Sequence, residues 1–133
     1  MGRPTIFPTG TTIYKPEKCY SGYTLFTGPG KGVILIDMNG NCVRHWKDFQ
    51  GFPCKMIPGG HLFGSLGRRA NEFAYQDMTD VTMVDWDGNV EWSFNRNQEI
   101  EDNGTKEWYA RQHHDYQIEG NPVGYFVPGM ESS

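Results

Sequence analysis

The chain has 133 residues and a formal net charge of −4, and this length suits one domain with a core of its own. It has no run of Lys or Arg, which argues against a nucleic-acid partner, because such binding neutralises several phosphates at once. The sequence opens without a secretory signal pattern and nowhere contains about 18 consecutive apolar residues. We therefore expect a cytoplasmic protein with no membrane partner.

The first half of the chain predicts short strands joined by tight turns. Residues 1–12 are rich in Pro, Thr and Gly and are predicted to be extended, and residues 23–26 predict a short strand. Residues 35–41, LIDMNGN, place an Asn-Gly pair between apolar runs, which is typical of a β-hairpin. Residues 56–63 predict a second hairpin around Gly59 and Gly60, and residues 67–79 predict a loop.

The second half repeats this order. Residues 84–89, VDWDGN, place an Asp-Gly pair 48 residues after the Asn-Gly pair, and each pair is followed by a tryptophan, Trp46 or Trp92. Residues 95–106 are strongly polar and predict a long exposed loop, with a one-turn helix inside it as the alternative. Residues 116–126 predict a further hairpin. The sequence therefore predicts four short antiparallel strands per unit.

A unit of roughly 40 to 50 residues with four antiparallel strands is typical of a β-propeller blade. We expect an all-β chain that forms a partial β-propeller of about two to two and a half blades. The expected divisions are an opening segment at residues 1–31, blade one plus a loop at 32–79, and blade two with the start of the next at 80–133. A propeller closes through roughly 4 to 8 blades, so the chain is expected to be a fragment or a subunit of a larger ring.

One segment, residues 108–117, concentrates side chains suited to catalysis. It contains Arg111, His113, His114 and Asp115 beside aromatic residues. On a strand, His113 and Asp115 would share one face and His114 would lie on the other, so only one histidine enters a given pocket. The alternative is that one of the two histidines is a core residue that bridges strands and the other lies at a rim.

The remaining chemistry-bearing residues are expected to be structural. His45 and His61 each stand alone in a hairpin, and Asp37 and Asp85 are expected to support their turns. The four tryptophans are expected to pack between blades. The three cysteines have no Cys-x-x-Cys spacing, which favours reduced thiols buried in strands over disulfides or a zinc site; they are Cys19, Cys42 and Cys54.

Several phrases, in this order, resemble the arylsulfotransferase family, the aryl-sulfate sulfotransferases that need no nucleotide sulfate donor. They are YKPEKCYSGYTLF at residues 14–26, LIDMNGNCVRHW at 35–46, VDWDGNVEW at 84–92 and the HHD that follows at 113–115. The resemblance implies a six-bladed propeller without a metal or a cofactor. Its site would lie in the central funnel, where a histidine takes a sulfuryl group from a phenolic sulfate ester and passes it to another phenol. Family site residues in later blades are expected to fall beyond residue 133. Well-studied members are exported and carry an extra N-terminal β-domain, whereas this sequence begins almost at once with the propeller's opening segment and shows no export signal.

In that scheme this chain offers His113 or His114 as a histidine of the site, with Asp115 as its orienting acceptor and Arg111 as the partner of the sulfuryl oxygens. The expected partners are an aryl sulfate donor, a phenolic acceptor, and the remaining blades on the same or another chain, in an oligomer or complex. These 133 residues alone are expected to be inactive. The rival interpretation is a non-catalytic propeller scaffold or complex subunit with structural histidines. A metal-dependent hydrolase or lyase ranks last, since such a site needs at least three ligands.

Overall fold

The computed structural model describes residues 11–28, 30–67, 78–110 and 116–117, and these form three antiparallel sheets. Sheet A has the order β1-β2-β3, sheet B the order β4-β5-β6-β7, and sheet C pairs β8 with β9. The described residues contain no α-helix, only two short 3₁₀ turns at Pro16–Lys18 and Pro58–Gly60. The all-β prediction is confirmed. The strands are β1 (Thr24–Gly28), β2 (Gly32–Ile36), β3 (Cys42–Trp46), β4 (Gln50–Ile57), β5 (His61–Ser65), β6 (Val81–Val84), β7 (Val90–Phe94), β8 (Asn97–Asp102) and β9 (Thr105–Ala110).

Three predicted hairpins form where turn residues separate apolar runs. The Asn-Gly pair joins β2 to β3, the Pro58–Gly60 turn joins β4 to β5, and the Asp-Gly pair joins β6 to β7. Gly40 and Gly88 have φ of 83° and 92°, which an L side chain rarely adopts, so glycine is required there. The strand expected at residues 23–26 is confirmed as β1.

The grouping of strands into sheets differs from the expected one. The sequence predicts one unit that holds β2, β3, β4 and β5, whereas β2 and β3 form a sheet with β1, and β4 and β5 form a sheet with β6 and β7. A sheet boundary therefore falls between Trp46 and Gln50, inside the stretch expected to hold blade one. The Trp46–Phe49 turn, in which the Phe49 amide donates to the Trp46 carbonyl, redirects the chain into the second sheet.

The core lies between sheet A and one face of sheet B. Neighbouring residues on a strand point to opposite faces, so Leu62 and Val84 project from sheet B toward sheet A, whereas Phe63 and Met83 project away. Burying such side chains stabilises the fold by about 1.5–3 kcal/mol each. The core residues are Val33, Leu35, Trp46, Phe49, Leu62 and Val84, with Leu25, Cys54 and Met56 packed against them.

The segment expected to be a long loop, residues 95–106, is mostly a β-hairpin. Strands β8 and β9 pair over six residue positions, and Asn103 and Gly104 form the turn with positive φ at both residues. The loop prediction was wrong because the polarity of both strands hid their alternation, although Asn-Gly is a strong hairpin signal. Nearly every residue of this hairpin is exposed, and its strands accordingly carry few apolar side chains.

Candidate functional site

The four residues predicted to form the site lie outside the residues that the structure describes; they are Arg111, His113, His114 and Asp115. The nearest described residues are Ala110 before this segment and Tyr116 and Gln117 after it. Tyr116 directly follows Asp115 and is therefore the described residue nearest in sequence to the predicted site on its C-terminal side.

Tyr116 is fixed on the face of sheet B that points away from sheet A. Its ring packs edge-on against Phe63 with centroids 4.8 Å apart, and its hydroxyl donates to the carbonyl of Pro53. The Nζ of Lys55 donates to the Tyr116 carbonyl oxygen at 2.5 Å and lies 5.5 Å from the ring centroid. Ring, hydroxyl and backbone are thus all held by the β4–β5 hairpin.

Lys55 is the residue in this arrangement that sequence reasoning missed. Its side chain is buried, although lysine is almost never buried without polar partners. The sequence gives only a weak signal that this lysine is buried. It stands between the apolar residues Cys54 and Met56, in a strand whose apolar and polar residues do not alternate regularly. Its cationic group lies beside the backbone of Tyr116.

A second polar cluster, centred on Asp80, holds both ends of the β5–β6 connection. One carboxylate oxygen accepts from the Ser65 hydroxyl and the Gly67 amide, each at 2.5 Å. The other accepts from the Leu66 amide at 3.0 Å and from the Thr82 hydroxyl. The carboxylate is buried and fully used by donors of the protein, which makes it a structural anchor rather than a binding group.

The two Asp-led turns are built identically. Asp37 accepts from the Asn41 amide at 2.8 Å and from its side-chain Nδ2 at 2.9 Å, and Asp85 accepts from Asn89 in the same two ways at 2.8 Å each. These bonds, led by the one from the asparagine side chain, lower the pKa of each aspartate below its ordinary value. The expected turn-supporting role of both aspartates is confirmed.

The two turns also connect sheets A and B. Trp46 donates from Nε1 to the Trp86 carbonyl at 2.9 Å, and the two rings meet edge-on at 5.3 Å. Arg44 forms an ion pair with Asp87 at 3.4 Å and lies over both indole rings. The packing role expected of the tryptophans is thus met by Trp46 and Trp86.

The other two tryptophans are more exposed than expected. Trp92 is 48% exposed and contacts Phe63 at 6.0 Å between ring centroids, and Trp108 is 46% exposed on the outlying strand β9. Trp108 therefore lacks the burial expected of a residue packed between blades.

The isolated histidines have structural partners, as expected. His45 contacts the Lys31 carbonyl at 2.5 Å, and His61 contacts the Glu91 carboxylate at 2.5 Å. All three cysteines are free, but only Cys54 is even partly buried in a strand, where burial raises the pKa of its thiol to about 12. The expectation of buried thiols was wrong for Cys19 and Cys42, which are exposed.

Within the described part of the chain, no group of three or more His, Cys, Asp or Glu side chains is arranged to hold a metal ion. The helical turns found there are also too short and polar to be membrane-spanning helices. In comparisons with known proteins, no family model, no curated protein and no solved structure matches this chain.

Proposed function

We propose that this chain is part of a six-bladed β-propeller that transfers a sulfuryl group from a phenolic sulfate ester to a phenol. The observation that carries the proposal is the anchoring of Tyr116, directly after His113, His114 and Asp115, on sheet B by Phe63 and Lys55. A catalytic segment needs this kind of fixed backbone, because misplacing a reacting group by about 1 Å costs roughly 100-fold in rate.

The order of layers supports the propeller. Sheet A packs against one face of sheet B, and Tyr116 packs against the opposite face through Phe63. Sheet A and Tyr116 therefore lie on opposite faces of sheet B, an arrangement compatible with neighbouring blades on both sides of sheet B. Sheet B is itself a four-stranded antiparallel meander, the form of a propeller blade.

The proposed chemistry is a double displacement. An imidazole nitrogen of His113 or His114 attacks sulfur, the N–S bond forms, and the S–O bond to the aryl group breaks. A second histidine of the propeller protonates the departing phenoxide and then takes the proton of the acceptor phenol. The oxygen of that phenol displaces the first histidine from sulfur. Asp115 orients the imidazole, and Arg111 stabilises the negative charge on the sulfuryl oxygens.

The test uses the full-length protein, purified gently from its own cells, with 4-nitrophenyl sulfate as donor and phenol as acceptor. We expect measurable transfer, and a loss of about 100-fold or more in the His113→Ala or His114→Ala variant. His45→Ala is the matched control, because His45 is exposed and its ring contacts the backbone carbonyl of Lys31. Absence of transfer by the intact protein would reject the proposal.

The same variants distinguish the proposed sulfotransferase from a non-catalytic scaffold. A scaffold role predicts that both histidine variants keep any activity of the assembly and lower its melting temperature. The sulfotransferase role predicts the reverse, a loss of transfer in at least one variant whose melting temperature stays near that of the wild type.

A further inference from the structure

The sequence contains two Asn-Gly pairs, Asn39-Gly40 and Asn103-Gly104. Each lies in a turn between antiparallel strands, and the two glycines have nearly the same φ, 83° at Gly40 and 81° at Gly104. An asparagine before glycine is prone to lose its side-chain amide, because the glycine has no Cβ to keep its backbone nitrogen away from the asparagine Cγ. The two pairs share this chemistry but differ in their surroundings.

The Asn39-Gly40 pair is held in place by its turn. The Gly40 amide donates to the Asp37 carbonyl at 3.0 Å, and the Asn39 amide donates to the Asp37 carboxylate at 2.9 Å. The same carboxylate accepts from the Asn41 amide at 2.8 Å, and the turn joins two strands of sheet A, which contributes to the core. The Gly40 nitrogen is therefore engaged until this turn opens.

The Asn103-Gly104 pair lacks this support. Within the described ranges, the Gly104 amide has no hydrogen-bond partner, and a Cβ on Gly104 would meet no atom within 4 Å. Asn103 is exposed, and its turn joins only the two strands of sheet C. A two-stranded hairpin is marginally stable in water, so its turn opens at a low cost in free energy.

We propose that Asn103 is a site of spontaneous deamidation in the folded protein. The Gly104 nitrogen gives its proton to solvent and attacks the Asn103 Cγ, so that a bond forms between these two atoms. The bond from Cγ to the side-chain nitrogen breaks, and that nitrogen leaves as ammonia. Water then opens the cyclic imide at either carbonyl and gives aspartate or isoaspartate. One water is consumed for each ammonia released, and nothing is oxidised or reduced.

Both products are expected to weaken the hairpin. Each adds a negative charge to strands that already carry four carboxylates and one lysine. Isoaspartate also lengthens the backbone by a methylene inside the two-residue turn that sets the pairing of Asp102 with Thr105. The modification therefore changes both the charge and the strand pairing of sheet C.

The test incubates the intact full-length protein at mildly alkaline pH and follows both asparagines by peptide mass spectrometry. Digestion at acidic pH prevents conversion during handling. We expect Asn103 to convert at least about tenfold faster than Asn39, because the turn of Asn39 opens less often. The same protein in denaturant is the matched control: both turns are lost there, and the two asparagines should convert at similar rates.

The Asp37→Ala variant tests the cause of the difference. It removes the carboxylate that holds the Asn39 amide, so it should speed the conversion of Asn39 and leave that of Asn103 unchanged. Equal conversion of the two asparagines in the folded wild type would overturn the proposal. Conversion of Asn103 in denaturant but not in the folded protein would also overturn it. If the variant does not fold, the wild-type comparison still decides.

Discussion

At the scale of single residues, Asp80 combines burial with four donors divided between its two oxygens. Each oxygen accepts one backbone amide, from Gly67 or from Leu66. In Asp80→Asn, whichever way the side chain turns, an NH₂ group must face one of these amides. A buried donor left without an acceptor costs about 1–3 kcal/mol, so we expect a loss of about 3 kcal/mol in the free energy of unfolding.

Denaturant unfolding measures this loss, with Asp87→Asn as the matched control. Asp87 is exposed and pairs with Arg44 at 3.4 Å, so its replacement should change stability by less than about 1 kcal/mol. Equal losses in the two variants would contradict the anchoring role of Asp80.

Asp37 and Asp85 predict a dependence of stability on pH. Their pKa values are lower in the folded protein than the ordinary value of 3.8, because Asn41 and Asn89 donate to the charged carboxylates. The stabilisation is therefore present above that ordinary value and is lost as the pH falls through the lower, folded-state values. Melting temperature between about pH 5 and pH 2 should fall less steeply in the Asn41→Ala, Asn89→Ala double variant than in the wild type. Parallel curves would show that these bonds do not perturb the two carboxyls.

The roles of Asp37 and Asp85 could be read from the sequence because their partners lie within four residues. Those of Asp80 and Lys55 could not. The Leu66 amide is 14 residues from Asp80, and Tyr116 is 61 residues from Lys55, so only the folding of the chain brings them together.

At the scale of elements, local turn chemistry predicted the β2–β3, β4–β5 and β6–β7 hairpins, and apolar residues flank each turn. The β8–β9 hairpin was missed, because its Asn103-Gly104 turn has the same chemistry but lies between polar strands. The assembly of hairpins into sheets was also beyond sequence reasoning. Nothing in the residues between Trp46 and Gln50 marks them as a boundary between sheets rather than a turn within one.

The β8–β9 hairpin should be the least stable of the described elements. A two-stranded hairpin is marginally stable in water, and six of six residues in β8 are exposed. In hydrogen exchange, amides of Asn97–Asp102 should exchange at least about 100-fold faster than those of Val81–Val84, which lie between β5 and β7. Comparable protection would mean that another part of the protein covers the hairpin.

At the scale of the whole molecule, sheets A and B are built on the same turn and pack against each other, and Tyr116, which follows the His-His-Asp segment in sequence, is held on the opposite face of sheet B. The 48-residue repeat and the all-β class were accessible from sequence, because hairpin turns have distinct chemistry. The stacking of sheets was not, since it depends on contacts such as Trp46 with Trp86 between separate units.

We propose that a histidine of this segment carries a sulfuryl group, and a search for that group on the protein tests the proposal. The full-length protein is incubated with 4-nitrophenyl sulfate in the absence of acceptor, digested at alkaline pH and analysed by mass spectrometry. We expect a sulfated histidine at His113 or His114 that disappears when phenol is added. Transfer to phenol with both histidines unmodified throughout would contradict it.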